Sequence, residues 1–178
     1  MTVGILAVQG AFIEHAEIIE RLNHDYLLLR KKSDIPENLE ALILPGGEST
    51  VQKKLLIESD MFTILQNKIK AGIPVLGTCA GLILLADVFK TLPVSVKRNA
   101  YGRQLGSFSA EGSIGQIQHF PMRFIRAPYI EKILNPDVEI LNITDNRITA
   151  VRYQKQFGIA FHPELTEDLR IHELFLLS

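Results

Sequence analysis

The sequence predicts an α/β fold, in which an open, mostly parallel, twisted sheet carries helices on both faces and antiparallel strands occupy the C-terminal half. Two observations lead to this prediction. In the first half of the chain, continuous apolar runs of four to six residues alternate with longer segments of helical periodicity, as in parallel strands covered on both faces. In the second half, short and partly alternating runs follow one another with few helical intervals, which indicates antiparallel pairing.

The first three strands begin as a βαβ unit. Residues 3–8 form an apolar run, and apolar side chains then recur at helical spacing between residues 12 and 22, with charged residues between them. Tyr26–Leu29 is predicted as the second strand, and Ala41–Leu44 follows as the third after the connection over residues 33–40. We expect these strands to pair in parallel, because a helix connects the first two.

The next elements lead to a sharp turn. Two helical patterns fill residues 51–71 and are separated near Ser59-Asp60, and Ile73–Leu76 is predicted as a fourth, buried strand. A helix without a breaker starts over Leu82–Ala86. Residues 77–81 are therefore predicted to turn the chain from strand to helix.

The C-terminal half is predicted to contain six short strands, several of them antiparallel, and one closing helix. The strands are predicted over residues 94–97, 104–108, 122–125, 138–141, 148–153 and 157–161. The segment 110–119 is predicted to be an abbreviated loop, and an amphipathic helix over Asp168–Leu177 is expected to cover one face of the sheet.

Length and charge set the outer limits. A chain of 178 residues is expected to form one domain, residues 1–178, because it is long enough for one full core and short for two. Nineteen basic and twenty acidic residues leave a formal charge of -1, which gives no electrostatic case for nucleic acid or for an anionic membrane surface. A single cysteine excludes an intramolecular disulfide, and the N-terminus lacks a secretory pattern, so we expect a cytoplasmic protein.

The turn at Gly77-Thr78-Cys79-Ala80-Gly81 contains that single cysteine. Small residues on each side of a nucleophile at a strand-to-helix turn are typical of the G-x-S-x-G elbow, here with cysteine in place of serine. Such a turn lifts the side chain above the sheet edge, and the helix N-terminus beneath it favours the nucleophilic thiolate. The alternative is that Cys79 is a small buried hydrophobic residue.

Three loops are expected to meet at one edge of the sheet, because ligands of open α/β sheets bind beyond the carboxyl ends of the strands. They contain Gln9-Gly10, Pro45-Gly46-Gly47 and Cys79. Consecutive glycines let backbone N–H groups approach an anionic oxygen, as an oxyanion hole requires, although the same residues also suit an ordinary tight turn.

A cysteine nucleophile needs a base, and one of the five histidines has a carboxylate close by in sequence. His162 is followed by Pro163 and Glu164. Residues two apart in an extended chain project to the same side, which predicts that the Glu164 carboxylate lies near the His162 ring and orients it. The alternative is a surface loop in which the two residues are incidental.

These residues resemble those of a known family, the class I (triad) glutamine amidotransferases, and within it the glutaminase subunits of pyridoxal 5'-phosphate synthase. The class is marked by Pro45-Gly46-Gly47, by residues 77–81 and by His162-Pro163-Glu164. The subunit type is marked along the whole chain by residues 6–10, Glu14-His15, Gly46-Gly47-Glu48-Ser49-Thr50, residues 98–104 and Phe124-Ile125-Arg126-Ala127-Pro128. The resemblance implies a flavodoxin-like sheet of the class I glutaminase type.

The resemblance also implies a role for particular residues. Cys79 would be the nucleophile, with His162 and Glu164 completing the triad. The positions where the family holds glutamine are Gly46, Gly47, Glu48, Arg98, Ile125 and Arg126. Backbone amides of Gly47, Ala80 and Gly10 would receive the oxyanion. His15, although part of a family motif, is expected to be a packing or interface residue.

By the same resemblance the substrate is L-glutamine, no metal or organic cofactor is needed, and the ammonia passes to a separate pyridoxal 5'-phosphate synthase subunit. With one glutaminase-like domain over residues 1–178, no segment is left to consume the ammonia. The sequence departs from the family in the shortened segments 87–96 and 110–119 and at Val51, where a second threonine is common. These departures affect the rim and partner contacts, not the triad.

Three other hypotheses remain open at this stage. The chain could be the glutaminase subunit of another synthase, such as the imidazole glycerol phosphate one, but the motifs at 98–104 and 124–128 favour the first partner. It could be a cysteine-elbow hydrolase or thiol sensor of the stress-response type, which leaves His162-Pro163-Glu164 unexplained. A non-catalytic binding module would need only the fold. Glutamate release from glutamine, with and without candidate synthases, separates these hypotheses.

Overall fold

The structure is a computed structural model that describes residues 1–98 and 106–178. The strands are β1 (Thr2–Leu6), β2 (Asp25–Leu29), β3 (Ala41–Leu44), β4 (Val75–Thr78), β5 (Val94–Lys97), β6 (Ser107–Ile114), β7 (Ile117–Ile125), β8 (Tyr129–Ile133), β9 (Glu139–Thr144), β10 (Arg147–Tyr153) and β11 (Gln156–Ile159). The helices are α1 (Phe12–Arg21), α2 (Ser49–Glu58), α3 (Phe62–Lys70), α4 (Ala80–Ile83) and α5 (Arg170–Leu176). Single 3₁₀ turns lie at Lys32–Asp34 and Pro163–Leu165, and α4 continues into a π-helical turn, Leu84–Val88.

One sheet organises the described residues, and it confirms the predicted fold class. Its strands run in the order β2-β1-β3-β4-β11-β10-β8-β5, with β9 paired to β10. The pairs from β2 to β11 are parallel, whereas the pairs beyond β11 are antiparallel. The chain order reverses between β1 and β3, so a crevice opens beyond the carboxyl ends of these strands. Strands β6 and β7 form a separate two-stranded ribbon.

The side chains of β3 alternate between two apolar cores, one on each face of the sheet. Leu42 and Leu44 pack in the core that contains residues of α2 and α3. Ala41 and Ile43 pack in the core that contains residues of α1 and α5. A strand buried on both faces must be apolar at every position, which is why β3 is a continuous apolar run. Each large side chain buried in this way contributes roughly 1.5–3 kcal/mol to the free energy of folding.

The predicted elements of the first half agree with the observed ones to within two or three residues, whereas in the second half one prediction is wrong and one strand was missed. The segment 110–119 is not a loop, because it forms the middle of a β-hairpin in which Gly115 (φ 57°) and Gln116 join β6 to β7. Strand β8 was not predicted, since Glu131 and Lys132 interrupt its short apolar pattern. The first part of the strand predicted over 104–108, and residues 99–104 of the family motif, lie outside the described residues.

Within residues 1–98 and 106–178, no helix is long and apolar enough to cross a membrane.

Candidate active site

A cavity of about 680 Å³ opens where the loops after β1, β3 and β4 meet. The residues that line it include Gln9, Gly47, Glu48, Ser49, Thr50, Cys79, Ala80, Arg98, Ile125, Arg126 and His162. The three loops that the sequence predicted to meet at one edge of the sheet therefore do so. This volume is in the usual range for pockets that bind small molecules.

Cys79 lies at the turn between β4 and α4 with a strained, positive-φ backbone, at φ 50° and ψ -103°. Such a backbone costs of order 1–3 kcal/mol and persists where the surroundings fix it. The Cys79 N–H donates a hydrogen bond of 2.7 Å to the Ile159 carbonyl of β11. Gly81 is required two residues later, because a Cβ there would overlap the Leu44 carbonyl oxygen. The predicted elbow geometry is confirmed.

His162 is held beside the cysteine by the chain that follows β11. Its N–H donates to the Arg123 carbonyl at 2.8 Å, and its side chain is 9 % exposed. The ring Nδ1 lies 2.6 Å from Glu164 Oε1. The predicted proximity is confirmed, but the reason given for it was wrong, because the chain turns at Pro163–Leu165 in a 3₁₀ turn and is not extended through Glu164.

The surroundings of His162 favour its protonated form. Burial lowers the pKa of the imidazole, but hydrogen bonds to Cys79 and Glu164 and the charges of both groups together raise it to about 10. Because Nδ1 bonds to Glu164, Nε2 is left for the cysteine. In this structure Cys79 Sγ also lies 3.9 Å from the Ile125 carbonyl oxygen.

Two further histidines lie behind the triad, and the sequence did not assign them to the site. His15 of α1 and His172 of α5 are fully buried. His15 Nδ1 lies 2.8 Å from His172 Nε2, and His15 Nε2 lies 3.2 Å from Thr78 Oγ1. Burial lowers the pKa of His172 to about 3. The pKa of His15 is also lowered, mainly by burial and further by the nearby His172 and His162.

These pKa shifts predict two protonation states among three buried histidines at neutral pH. We expect His162 to be cationic, because its pKa is raised to about 10, and His15 and His172 to be neutral, because burial lowers their pKa values well below the ordinary 6.5. When the ¹⁵N chemical shifts of the imidazoles are followed from about pH 6 to pH 8, the signals of these three histidines should therefore stay unchanged.

The His162→Gln variant assigns the signals, because it removes the cationic one. A buried histidine that loses its proton between pH 6 and 8 would contradict the expected electrostatics of this site.

The loops after β1 and β3 are fastened to each other by two glutamines. The Glu48 N–H donates to Gln9 Oε1 at 2.8 Å, and Gln52 Nε2 donates to the carbonyls of Gln9 and Pro45. Gln9 was predicted to lie at this edge of the sheet but was given no role of its own, and Gln52 was not predicted. A polar residue directly after a buried strand was the signal for Gln9, whereas Gln52 lies inside a helix and carries no such signal.

Gly46, in the loop after β3, packs directly against the triad. A Cβ at Gly46 would overlap His162 Cε1, so any larger residue would displace the imidazole. The Gly46 carbonyl accepts a hydrogen bond of 3.0 Å from the Ala11 N–H. Gly10 packs directly against the same carbonyl.

Charged side chains of both signs surround the mouth of the cavity. Glu48 and Arg126 are exposed and line it. Arg98 also lines it, with Nη2 3.8 Å from Asp87 Oδ2. Ile125, 40 % exposed, is an apolar residue beside them. Of the residues predicted to hold glutamine, the structure thus brings Gly47, Glu48, Arg98, Ile125 and Arg126 to one cavity, with Gly46 against the imidazole.

Comparison with known proteins shows one family. The model of the SNO glutamine amidotransferase family matches residues 5–178. The pyridoxal 5'-phosphate synthase subunit PdxT of Desulfitobacterium hafniense (strain DSM 10664 / DCB-2) is 58% identical over 186 residues, which cover 100% of this chain and 93% of that protein. The protein of the same name from Bifidobacterium longum (strain NCC 2705) is 47% identical, with 97% and 98% covered.

Solved structures agree with this relationship. A crystal structure of a glutamine amidotransferase superposes with a TM-score of 0.91 at 39% sequence identity, covering 98% of this chain and 97% of the other. PurLQS from Thermotoga maritima superposes with a TM-score of 0.69 at 15% identity, covering 99% of this chain and 97% of the other, and shows a likeness of fold alone.

Proposed function

We propose that this chain, which belongs to the SNO glutamine amidotransferase family, hydrolyses L-glutamine to L-glutamate and ammonia through Cys79, His162 and Glu164. We also propose that it passes the ammonia to a synthase subunit that makes pyridoxal 5'-phosphate. The observation that carries the chemistry is the position of His162, which hydrogen-bonds to Glu164 and lies beside Cys79 at the wall of one cavity, where the cysteine contributes to its raised pKa. Nucleophile, base and orienting carboxylate in this order are the parts of a catalytic triad.

The reaction follows from these contacts. The Cys79 thiolate attacks the carboxamide carbon of glutamine, and the C–N bond breaks as the His162 imidazolium gives its Nε2 proton to the leaving nitrogen. Ammonia leaves, and the acyl group remains as a thioester on Cys79. Water then attacks the thioester while His162 takes its proton, which releases glutamate. Glu164 stabilises the imidazolium at each stage at which it carries charge.

Backbone amides would stabilise the oxyanion of each tetrahedral intermediate. The Cys79 N–H is already engaged by Ile159, so the donor at the elbow is Ala80, whose N–H at the start of α4 has no partner inside the helix. The second donor would be the Gly47 N–H. Its peptide is oriented by the hydrogen bond from Ala11 to the Gly46 carbonyl, and the absence of a side chain at Gly10 is what lets that carbonyl approach so closely.

The charges at the mouth of the cavity match free glutamine. The Glu48 carboxylate is suited to the α-ammonium group, and the guanidinium groups of Arg98 and Arg126 are suited to the α-carboxylate. Ile125 would cover the aliphatic part of the substrate. A peptide-bound glutamine lacks one or both of these charges, so the arrangement favours the free amino acid.

The partner is proposed from the names of the relatives. Both relatives described above are named as subunits of pyridoxal 5'-phosphate synthase. Because ammonia released into water at neutral pH is protonated and lost as a nucleophile, hydrolysis is useful only when it is coupled to a docked acceptor. We hypothesise that the isolated chain is weakly active, and that docking turns the Gly46–Gly47 peptide to complete the oxyanion hole.

Titration of the pyridoxal 5'-phosphate synthase subunit into the purified chain tests this proposal. We expect kcat for glutamate release to rise about 10²-fold on saturation, because one oxyanion-hole donor contributes roughly that much. Cys79→Ala with the same synthase subunit is the control for hydrolysis by the partner.

The cyclase subunit of imidazole glycerol phosphate synthase is the matched alternative partner. Activation by that subunit alone would reassign the pathway. A complex with unchanged kcat would contradict the activation hypothesis, and hydrolysis of unrelated esters but not of glutamine would favour a general cysteine hydrolase.

A further inference from the structure

A series of buried polar groups extends from the triad to α5, and the proposed reaction does not use it. It consists of Thr78, His15 and His172, each with no exposed surface. Three elements that are far apart in sequence, β4, α1 and α5, bring these groups together. Burial of imidazoles in an apolar core is costly unless they are hydrogen-bonded, so an arrangement of this kind calls for a specific role.

The series of polar groups ends at the oxygen of Glu164 that His162 does not use. Glu164 Oε1 bonds to His162, whereas Oε2 is buried and has no hydrogen-bond partner among residues 1–98 and 106–178. Nε2 of His15 lies 3.6 Å from it. This distance is too long for a hydrogen bond, but in a buried site the dipole of an N–H still interacts strongly with a carboxylate.

The contacts select one tautomer of each histidine. A neutral imidazole donates from one nitrogen and accepts at the other, so the 2.8 Å contact between His15 Nδ1 and His172 Nε2 has two possible directions. If His15 donated there, it would turn the lone pair of Nε2 towards the Glu164 carboxylate, which is repulsive. If His172 donates, His15 carries its proton on Nε2 and directs that N–H towards Thr78 Oγ1 and Glu164 Oε2.

The second direction also fits the far end of the series of polar groups. His172 Nδ1 is buried and has no hydrogen-bond partner in the described part of the chain. When His172 donates from Nε2, its Nδ1 carries no proton and leaves only a lone pair without a partner. If His15 donated instead, Nδ1 of His172 would carry a buried N–H without an acceptor.

We propose, on the basis of the function proposed above, that His15 is a positioning residue for the glutaminase reaction, which acts through Glu164 and is itself oriented by His172. Its Nε2–H faces the free oxygen of the carboxylate and prevents the carboxylate from rotating away from His162. Thr78, the residue before the nucleophile, shares the same N–H and so ties the elbow to the orienting carboxylate. The histidine in the family motif is thereby given a function beyond packing.

The test compares His15→Gln and His15→Leu with the wild type, with the synthase subunit at saturation. In glutamine, Nε2 is the same number of bonds from Cβ as Nε2 of histidine, so His15→Gln keeps a donor near Glu164, whereas His15→Leu keeps only the bulk. We expect kcat to fall about 10-fold in His15→Leu with KM within twofold, and to recover most of this loss in His15→Gln, as is typical of groups that orient a catalytic residue. His24→Leu, just beyond α1, is the control for loss of a histidine.

A double-mutant cycle with Glu164→Gln decides whether His15 acts through the carboxylate. We expect His15→Leu to change kcat less than twofold when Glu164 is already glutamine, because the group that it positions is gone. An equal 10-fold loss in both backgrounds would overturn the proposal. An effect on KM in place of kcat would also overturn it. The same holds if the kcat values of the variants follow their unfolding midpoints and do not depend on whether the donor is present.

A substitute variant and a prior check on the wild type keep this test decisive. If His15→Leu does not fold, His172→Leu replaces it in the cycle, with a smaller expected loss of about threefold, because His15 then keeps its place but not its fixed tautomer. Failure of the function proposed above is recognised before any comparison of variants, since the wild type would then release no glutamate or Glu164→Gln would match it.

Discussion

Replacement of Cys79 with alanine is expected to lower glutamine hydrolysis by roughly four orders of magnitude or more, because removal of a nucleophile leaves only the contribution of binding and the oxyanion hole. The fold should persist. Alanine keeps the Cβ, the elbow hydrogen bond to Ile159 uses the backbone N–H, and only one buried sulfur is lost. Glutamate release with the synthase subunit present measures the first expectation, and the thermal unfolding midpoint measures the second.

Binding of glutamine to the same variant separates chemistry from recognition. Because the charged groups proposed to hold the substrate are unchanged, we expect Cys79→Ala to bind glutamine with a Kd close to the KM of the wild type, measured by calorimetry. Cys79→Ser is the second control, since a hydroxyl in the same place is a far weaker nucleophile at neutral pH. Substantial glutamate release by Cys79→Ala would contradict the assignment of the nucleophile.

The parallel half of the fold could be predicted from the sequence because its inner strands, β1, β3 and β4, are buried on both faces. Ala41–Leu44 is apolar at every position, and the structure assigns that strand the same bounds. The antiparallel half was harder to predict, because a strand with one exposed face mixes charged and apolar residues. In β8 the charged pair at residues 131–132 hides the strand, and in the β6–β7 hairpin the exposed positions resemble a loop.

The residues of the candidate site also differ in how well the sequence predicts them, because some are marked by a short local stretch and others depend on long-range packing. Cys79 lies in a turn that its neighbours predict, and His162 and Glu164 are two residues apart, so each is recognisable from a short stretch. His15 and His172 are 157 positions apart in sequence, and only the packing of α1 against α5 places both behind Glu164. Nothing in either stretch predicts that contact, which is why the sequence suggested a packing role for His15.

Replacement of Glu164 with glutamine is expected to lower kcat about 10³- to 10⁴-fold with little change in KM, since an amide keeps the shape of the side chain but not its charge. Loss of the carboxylate removes a hydrogen bond and a charge that raise the pKa of His162, so that pKa should fall from about 10. The imidazolium that forms during the reaction then has less stabilisation. Steady-state kinetics with the synthase subunit at saturation and the ¹⁵N shift of His162 measure the two effects.

Glu167→Gln is the matched control, because Glu167 lies three residues further along, has a side chain 94 % exposed and contacts Arg21 on the surface. We expect it to leave both kcat and the His162 signal unchanged. If Glu164→Gln kept its kcat while its unfolding midpoint fell, the carboxylate would be a structural group of the turn at Pro163–Leu165. If the His162 pKa and kcat both fall, the result supports the triad. The charge of Glu164 is then what keeps the imidazole protonated, so that it can protonate the leaving ammonia.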